Sequence, residues 1–378
     1  MNTAKPRAGT PGNTGRLSCP RTWIFWPAIC VRCSGPVNAI RIRFMRILIT
    51  GGQGFLGRRI LEMLLERGYE VRAAVRRQAP ELQALGAEVS LADLGDPSAL
   101  RRAAKGCEGV VHCAARSGVW GRLDDFIKAN VLTTANILMA ARESGAEWFI
   151  HTSSPSVTHT GLPLDGVDET APLTDNPAHP YPYSKMLAER LVLSADQPGF
   201  HTAALRPHLI WGPGDPHFLP RLVERAGKNR LWLLQSEALV DGVYIDNAAL
   251  AHILAVEKMR SAAPIGGRAY FIAQGEPLTA SELISKILHA VCPQRTLAVR
   301  GHIPAWLGQA AGVVLENVWK GLALSGEPPI TSFVAEELAL PHWFRLDRAR
   351  RELGYVPPIT LAEGLQRLSD HCRERGGL

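Results

Sequence analysis

One stretch constrains this chain more than any other: Ile47-Leu48-Ile49-Thr50-Gly51-Gly52-Gln53-Gly54-Phe55-Leu56-Gly57. Its apolar start reads as a buried strand. Gly51, Gly54 and Gly57 follow in the spacing G-x-x-G-x-x-G, and Ile60, Leu61, Leu64 and Leu65 then recur at helical spacing. Glycine permits a tight turn and a close backbone approach, and the helix that follows aims its unpaired N–H groups at an anion. Such a strand, turn and helix suit the pyrophosphate of a dinucleotide, with Gly51, Gly54, Phe55, Leu56 and Gly57 as its contacts. A glycine turn without a ligand is the plainer alternative.

The order of elements after this turn predicts the fold class. Val71–Val75, Glu88–Leu91, Val110–Ala115, Trp148–Thr152 and Ala203–Leu205 read as strands. Helices are expected over Asp124–Glu143 and Tyr181–Leu193. This alternation predicts an α/β fold, a doubly wound parallel (Rossmann) sheet, over residues 45–207. Ala114 and Ala115 are small residues at a strand end, where a cofactor could lie across the sheet edge. From Trp211-Gly212-Pro213-Gly214 onward the pattern turns irregular, with a helix start near Asp246-Asn247 and a tail rich in Leu, Ala and Trp from about Pro277. Residues 208–378 are therefore expected to form mainly a smaller substrate-binding region with elements returning to the sheet.

Charge excludes one tempting reading. The formal net charge is +7, which invites a nucleic-acid partner. Residues 1–44, however, carry seven of the 42 Lys and Arg residues and none of the 35 Asp and Glu, so the rest of the chain is balanced at 35 to 35. A balanced body exerts no overall pull on phosphate polymers, and no nucleic-acid partner is expected. The leader 1–44 shows no periodicity and is read as disordered or as an over-extended reading frame, because Met45 opens the first strand directly. No run of eighteen uncharged apolar residues predicts a membrane-spanning helix. The seven scattered cysteines suit reduced thiols in the cytoplasm. Cys30-Val31-Arg32-Cys33 lacks a second ligand pair, so no metal site is expected.

Two further patterns carry chemistry. The second strand ends Val75-Arg76-Arg77 with no acid where an NAD site places one for the adenine ribose. Arginines there would pair with a 2′-phosphate, so NADP is expected over NAD, with Arg76 and Arg77 as candidates. Tyr181 and Lys185 stand four apart and share a helix face. An ammonium near the phenol would lower its pKa from about 10 by about 1–3, making Tyr181 a general acid for a carbonyl or a base for the reverse. Upstream, Ser153-Ser154-Pro155-Ser156 leaves the strand Trp148–Thr152 at its C-terminal end, where a hydroxyl could stabilise charge on a substrate oxygen.

Together, the glycine turn Thr50–Gly57, Thr152-Ser153-Ser154 and Tyr181…Lys185 resemble the extended short-chain dehydrogenase/reductases over nearly all of residues 45–378. The resemblance implies that Ser154, with Ser153 as competitor, Tyr181 and Lys185 are catalytic, and that Lys185 also holds the cofactor. It implies that Asn130 orders the site, that Asp93 and Leu94 lie near adenine, and that Arg206-Pro207 approaches the nicotinamide. Ser154–His159, Leu205–Asp215 and Pro341-His342-Trp343 look in particular like the 2-alkyl-3-oxoalkanoate reductases of bacterial long-chain olefin biosynthesis, in the 3β-hydroxysteroid dehydrogenase-like branch.

That resemblance implies NADPH reduction of a lipid-like 2-alkyl-3-keto acid by a cytoplasmic enzyme. Association with a membrane, pathway enzymes or a second copy is left open. A steroid or sterol dehydrogenase, a nucleotide-sugar epimerase or dehydratase, and a non-catalytic NADP-binding protein are the rivals. Pro155-Ser156 stands where the dehydratases carry an Asp-Glu pair, and the retained Tyr181 and Lys185 argue against a sensor. A two-tailed keto acid needs apolar walls, for which Trp306, Leu307, Val313, Val314, Leu315, Val318, Trp319 and Leu322 offer material; ordinary core is the other reading of these residues. Glu316 and Lys320, four apart, point to a surface or interfacial helix. Arg116, His159 and His208 are the basic candidates for the carboxylate.

Overall fold

The apolar runs pair as one sheet. A computed structural model describes residues 46–261, 265–292 and 299–375. Seven parallel strands lie in the order Arg268–Ile272, His201–Pro207, Trp148–Thr152, Gly109–His112, Arg46–Thr50, Glu70–Val75 and Glu88–Leu91. This is a Rossmann-like α/β fold. The strand order reverses direction between Arg46–Thr50 and Gly109–His112, which is where such sheets bind ligands, beyond the carboxyl ends of the strands. The reading of residues 1–44, including Cys30 and Cys33, lies outside the described residues.

The strands are apolar on both faces because helices cover both. Ile47, Ile49, Val111 and Ile150 pack in one layer with Ile60 and Leu64 of the helix Phe55–Glu66 and Val256 of the helix Ile245–Met259. Leu48, Val110 and Phe149, one residue out of step, pack in the other layer with Leu100, Ile137 and Val192. Asp96 caps the helix Pro97–Ala104 by accepting from Ser98 N and Ala99 N.

Two expectations shift in detail. The fourth strand ends at His112, and Cys113–Ala115 continue as loop. The helix expected over Asp124–Glu143 is a helical run of three parts: Leu123–Phe126, a π-helical segment Ile127–Leu132, and Thr133–Glu143. The later chain holds strands as well as helices. Arg268–Ile272 joins the main sheet beside His201–Pro207. Leu278–Thr279, Leu239–Val240, His342–Phe344 and Leu164–Val167 form a second sheet, which includes His342. Among the described residues no helix is long and apolar enough to cross a membrane.

Candidate active site

The glycine turn is built as its spacing requires. Gly51 has φ +73°, and Gly54 N donates to Gly51 O at 2.9 Å. A Cβ at Gly57 would stand 2.2 Å from Gly51 O, and one at Gly51 would stand 2.7 Å from Ala114 N. Both obstacles are backbone, so no side chain fits at either position. The helix Phe55–Glu66 begins with no acidic residue in its first turn and no side-chain cap, leaving its N-terminal N–H groups unpartnered by side chains. Such a cradle fits the pyrophosphate of a dinucleotide. Phe55 and Leu56 open that helix, and Ala114 and Ala115 pass beside it on the loop after His112. Arg76 and Arg77 are exposed at the end of Glu70–Val75, and no hydrogen bond or ion pair engages either among the described residues. Asp93 accepts from Gly95 N at 2.7 Å, and Leu94 O accepts from Asn136 at 2.9 Å.

At the other end of the strand edge stand the candidate catalytic groups. Ser154 caps the short 3₁₀ turn Pro155–Thr158, and its hydroxyl accepts from Ser156 N at 3.2 Å and Ser156 Oγ at 2.9 Å. Burial pushes the Tyr181 phenol up, and only its hydrogen bond with Ser154 pulls it the other way. Ser153, the competitor, has its hydroxyl buried without a hydrogen-bond partner. The pairing with Tyr181 therefore falls to Ser154.

Lys185 differs from its expected position. Its ammonium donates to Thr152 O at 2.6 Å and to His151 Nε2 at 3.2 Å, not to the phenol. Tyr181 is consequently raised and not lowered. Burial also drives Lys185 down to about 8, although Glu189 opposes the shift.

Asn130 sits on the π-helical segment and is fully engaged. Its Oδ1 accepts from Arg116 N at 2.7 Å, and its Nδ2 donates to Arg116 O at 3.1 Å and Ser184 Oγ at 3.0 Å. It thus ties the Cys113–Arg116 loop to the helix Pro180–Ser194. Pro207 ends its strand beside Ile272. The Arg206 guanidinium makes a buried fork to Glu189 at 2.9 and 2.6 Å, while its Nη1 is buried without a partner.

Behind Lys185 lies a polar column that the sequence reading missed. His151 stacks on His112, with ring centroids 5.5 Å apart. Thr134 donates to Asn130 O at 2.5 Å and so accepts from His112 Nε2 at 2.9 Å; His112 Nδ1 then accepts from Thr50 at 2.6 Å. Burial, with Lys185 nearby, holds His112 down to about 3 and His151 well below the usual range, so both rings are neutral. His112 and His151 are register partners on adjacent strands, a fact that only strand pairing reveals.

A cavity of about 280 Å³ opens at Ser154 and Tyr181. Its walls are largely apolar, from Phe218, Leu283, Ile284, Phe333 and Leu338, and its polar wall is His208, Glu337 and His342. The apolar tail residues named from sequence do not line it. The helix Ala305–Gly321 packs through Gly308 and Gly312, and turns Trp306, Val313 and Val314 to solvent. Glu316 of that helix accepts from Ser332 N at 2.8 Å. Of the three basic candidates only His208 reaches the cavity. Arg116 pairs with Asp125 at 3.3 Å, and His159 lies between Glu336 at 2.7 Å and Glu337 at 3.0 Å.

Comparison with known proteins agrees with this architecture. The 3-beta hydroxysteroid dehydrogenase/isomerase family matches residues 48–297. The 2-alkyl-3-oxoalkanoate reductase of Stenotrophomonas maltophilia (strain K279a) is 44% identical over 327 residues, covering 86% of this chain and 98% of that relative. The decarboxylating sterol-4-alpha-carboxylate 3-dehydrogenase of Mus musculus is 32% identical, covering 84% and 88%. The UDP-glucose 4-epimerase of Thermus thermophilus, solved in complex with NAD, superposes with a TM-score of 0.65 at 25% identity, covering 87% and 99%.

Proposed function

The chain belongs to the 3-beta hydroxysteroid dehydrogenase/isomerase family of NAD(P)-dependent oxidoreductases, and on that premise we propose that it reduces the 3-keto group of a 2-alkyl-3-oxoalkanoate with NADPH. The product is the 2-alkyl-3-hydroxyalkanoate, and the step belongs to long-chain olefin biosynthesis. The observation that carries this reading is the apolar cavity with Ser154 and Tyr181 at its mouth. The name of the 44% identical relative supports the substrate class. The unpaired Arg76 and Arg77, with no acid at that strand end, support NADPH over NADH.

The chain's own groups divide the work. The glycine cradle and the helix Phe55–Glu66 would hold the pyrophosphate of the cofactor. A nicotinamide bound there would supply hydride chemistry for the carbonyl carbon. Tyr181, kept protonated by burial, donates its proton to the carbonyl oxygen. Ser154 gives that oxygen a second hydrogen bond as its charge grows. Lys185 bridges the strand end at Thr152 to the helix bearing Tyr181 and keeps a positive charge in the site.

A sterol dehydrogenase is the second reading. The name of the mouse relative places a carboxylate one carbon from the oxidised position, the same β relation as in a 3-oxoalkanoate. NADPH oxidation measured against synthetic 2-alkyl-3-keto acids, and NADP+ reduction measured against a 3-hydroxysterol-4-carboxylate, separate the two. Turnover of the keto acids is expected. Turnover of the sterol alone would overturn the first reading, and equal or faster turnover with NADH would remove the NADPH preference.

A further inference from the structure

Three side chains of the cavity wall take no part in the steps above: His208, Glu337 and His342. They come from distant segments, namely the loop after His201–Pro207, the helix Ser332–Ala339 and the strand His342–Phe344. One donor atom from each lies within 4.8 Å of the others, and all three groups are buried or half-buried. Both imidazoles are oriented from behind. His208 Nδ1 lies 2.7 Å from Asp241 O, and His342 Nδ1 lies 2.9 Å from Leu340 O. A carbonyl only accepts, so each Nδ1 carries the hydrogen, and Nε2 is the ring atom left to act as a ligand. Neither Nε2 has a hydrogen-bond partner among the described residues. Facing them, Glu337 has one oxygen 3.9 Å from His342 Nε2 and the other held by His159 Nδ1 at 3.0 Å.

Two imidazole Nε2 atoms and a carboxylate gathered in one wall form a donor set that one cation can share. Imidazoles whose second nitrogen donates to a backbone carbonyl, beside a carboxylate steadied by another group, are how metal sites are built. We propose that His208, Glu337 and His342 bind a divalent transition-metal ion of the zinc type, and that its open coordination position takes the carboxylate of the substrate. Two histidines, one glutamate and an open position suit such an ion. Bonds of about 2.0–2.2 Å draw the donors inward from their present spacing.

The second half of the proposal rests on the keto-acid reading above; the first does not. Its support is charge. No lysine or arginine lines the cavity, and its one formally charged residue is Glu337. A substrate carboxylate placed there would meet an anion. A divalent ion leaves one net positive charge after Glu337 is counted.

A neighbouring trio, His159, His179 and Glu336, is equally close-set. There, however, both ring nitrogens of His159 already face carboxylates, and the trio does not line the cavity. It serves as the control.

The test uses the full chain stripped with a chelator and titrated with cobalt(II) chloride, read by visible ligand-field absorption, and with zinc chloride, read by calorimetry. One equivalent per chain is expected. His208→Gln and Glu337→Gln should weaken binding more than tenfold with an unchanged circular dichroism spectrum, while His179→Ala retains it. No uptake by the native chain, or uptake by His208→Gln and Glu337→Gln as tight as native, overturns the site. Because these titrations contain neither NADPH nor keto acid, failure of the reductase reading leaves their result standing. For the carboxylate, zinc-loaded protein should bind a 2-alkyl-3-keto acid at least tenfold more tightly than stripped protein does, and bind the corresponding ketone equally in both forms. Equal binding of the acid with and without zinc overturns that half.

Discussion

Burial sets Tyr181 and Lys185 in opposite directions, and the two shifts serve one reaction. Tyr181 is pushed up and stays a proton donor. Lys185 is pushed down to about 8, so its ammonium is complete well below that pH and is lost as pH rises through it. Turnover of the ketone should therefore fall as pH passes about 8. Lys185→Arg, whose charge persists, should move that fall upward. A kcat profile from pH 6 to 10 checks both, and a flat native profile would contradict them. Tyr181→Phe removes the proton and should cost about 10²–10⁴ in kcat. Ser154→Ala should cost about 10²–10³, as loss of one donor to a developing oxyanion does. Ser153→Ala is the internal control: its hydroxyl has no partner, so kcat should stay within about twofold of native, which is under about 0.5 kcal/mol. If the two serine variants exchange these outcomes, the pairing of Ser154 with Tyr181 is wrong.

At the scale of elements, the glycine turn and the π-helical segment do the positioning. Gly57→Ala would set a methyl 2.2 Å from Gly51 O, and backbone on both sides leaves no room to yield. The cofactor dissociation constant should rise by more than about tenfold, equivalent to about 1.4 kcal/mol, as read by fluorescence titration with NADPH. Native affinity in Gly57→Ala would mean that the turn does not hold the pyrophosphate. This element was legible in the sequence because strand, turn and helix are all local patterns. The π-helical segment was not. Its effect is to bring Asn130 onto both Arg116 and Ser184, and nothing in Ile127–Leu132 departs from ordinary helical residues. Tertiary packing selects the wider turn. The placement of Lys185 was likewise hidden. The i, i+4 spacing puts it on Tyr181's face, but its amine follows the Thr152 carbonyl and the His151 ring, which arrive from a strand 33 and 34 residues upstream.

For the whole molecule, the least legible feature was which apolar residues are interior. Periodicity identifies an apolar helix over Ala305–Gly321 but not the direction it faces. In this helix the usual arrangement is inverted. Gly308 abuts Leu234, and Gly312 abuts the backbone of Thr331 and Ser332, so the small residues form the packing face. Trp306 is 68% exposed and Val314 59%. The packing of this helix therefore cannot be sensed by mutating its large residues. Val314→Glu should shift the melting temperature little, since exposed substitutions stay within about 0.5 kcal/mol. Gly312→Ala should cost about 1–3 kcal/mol, because its Cβ would lie 2.9 Å from backbone atoms that cannot rotate away. Differential scanning calorimetry of the two variants decides the matter, and the conventional assignment of large residues inward predicts the reverse ranking. The same packing sets the cavity. Helix Ala305–Gly321 carries Ser332 on Glu316 and so fixes the start of Ser332–Ala339, whose Phe333, Glu337 and Leu338 line the same cavity as Tyr181. Gly312→Ala should consequently raise KM for the keto acid at temperatures where the chain is still folded, whereas Val314→Glu should leave KM at its native value. Steady-state kinetics at a temperature below both transitions would show whether that wall moves with the helix.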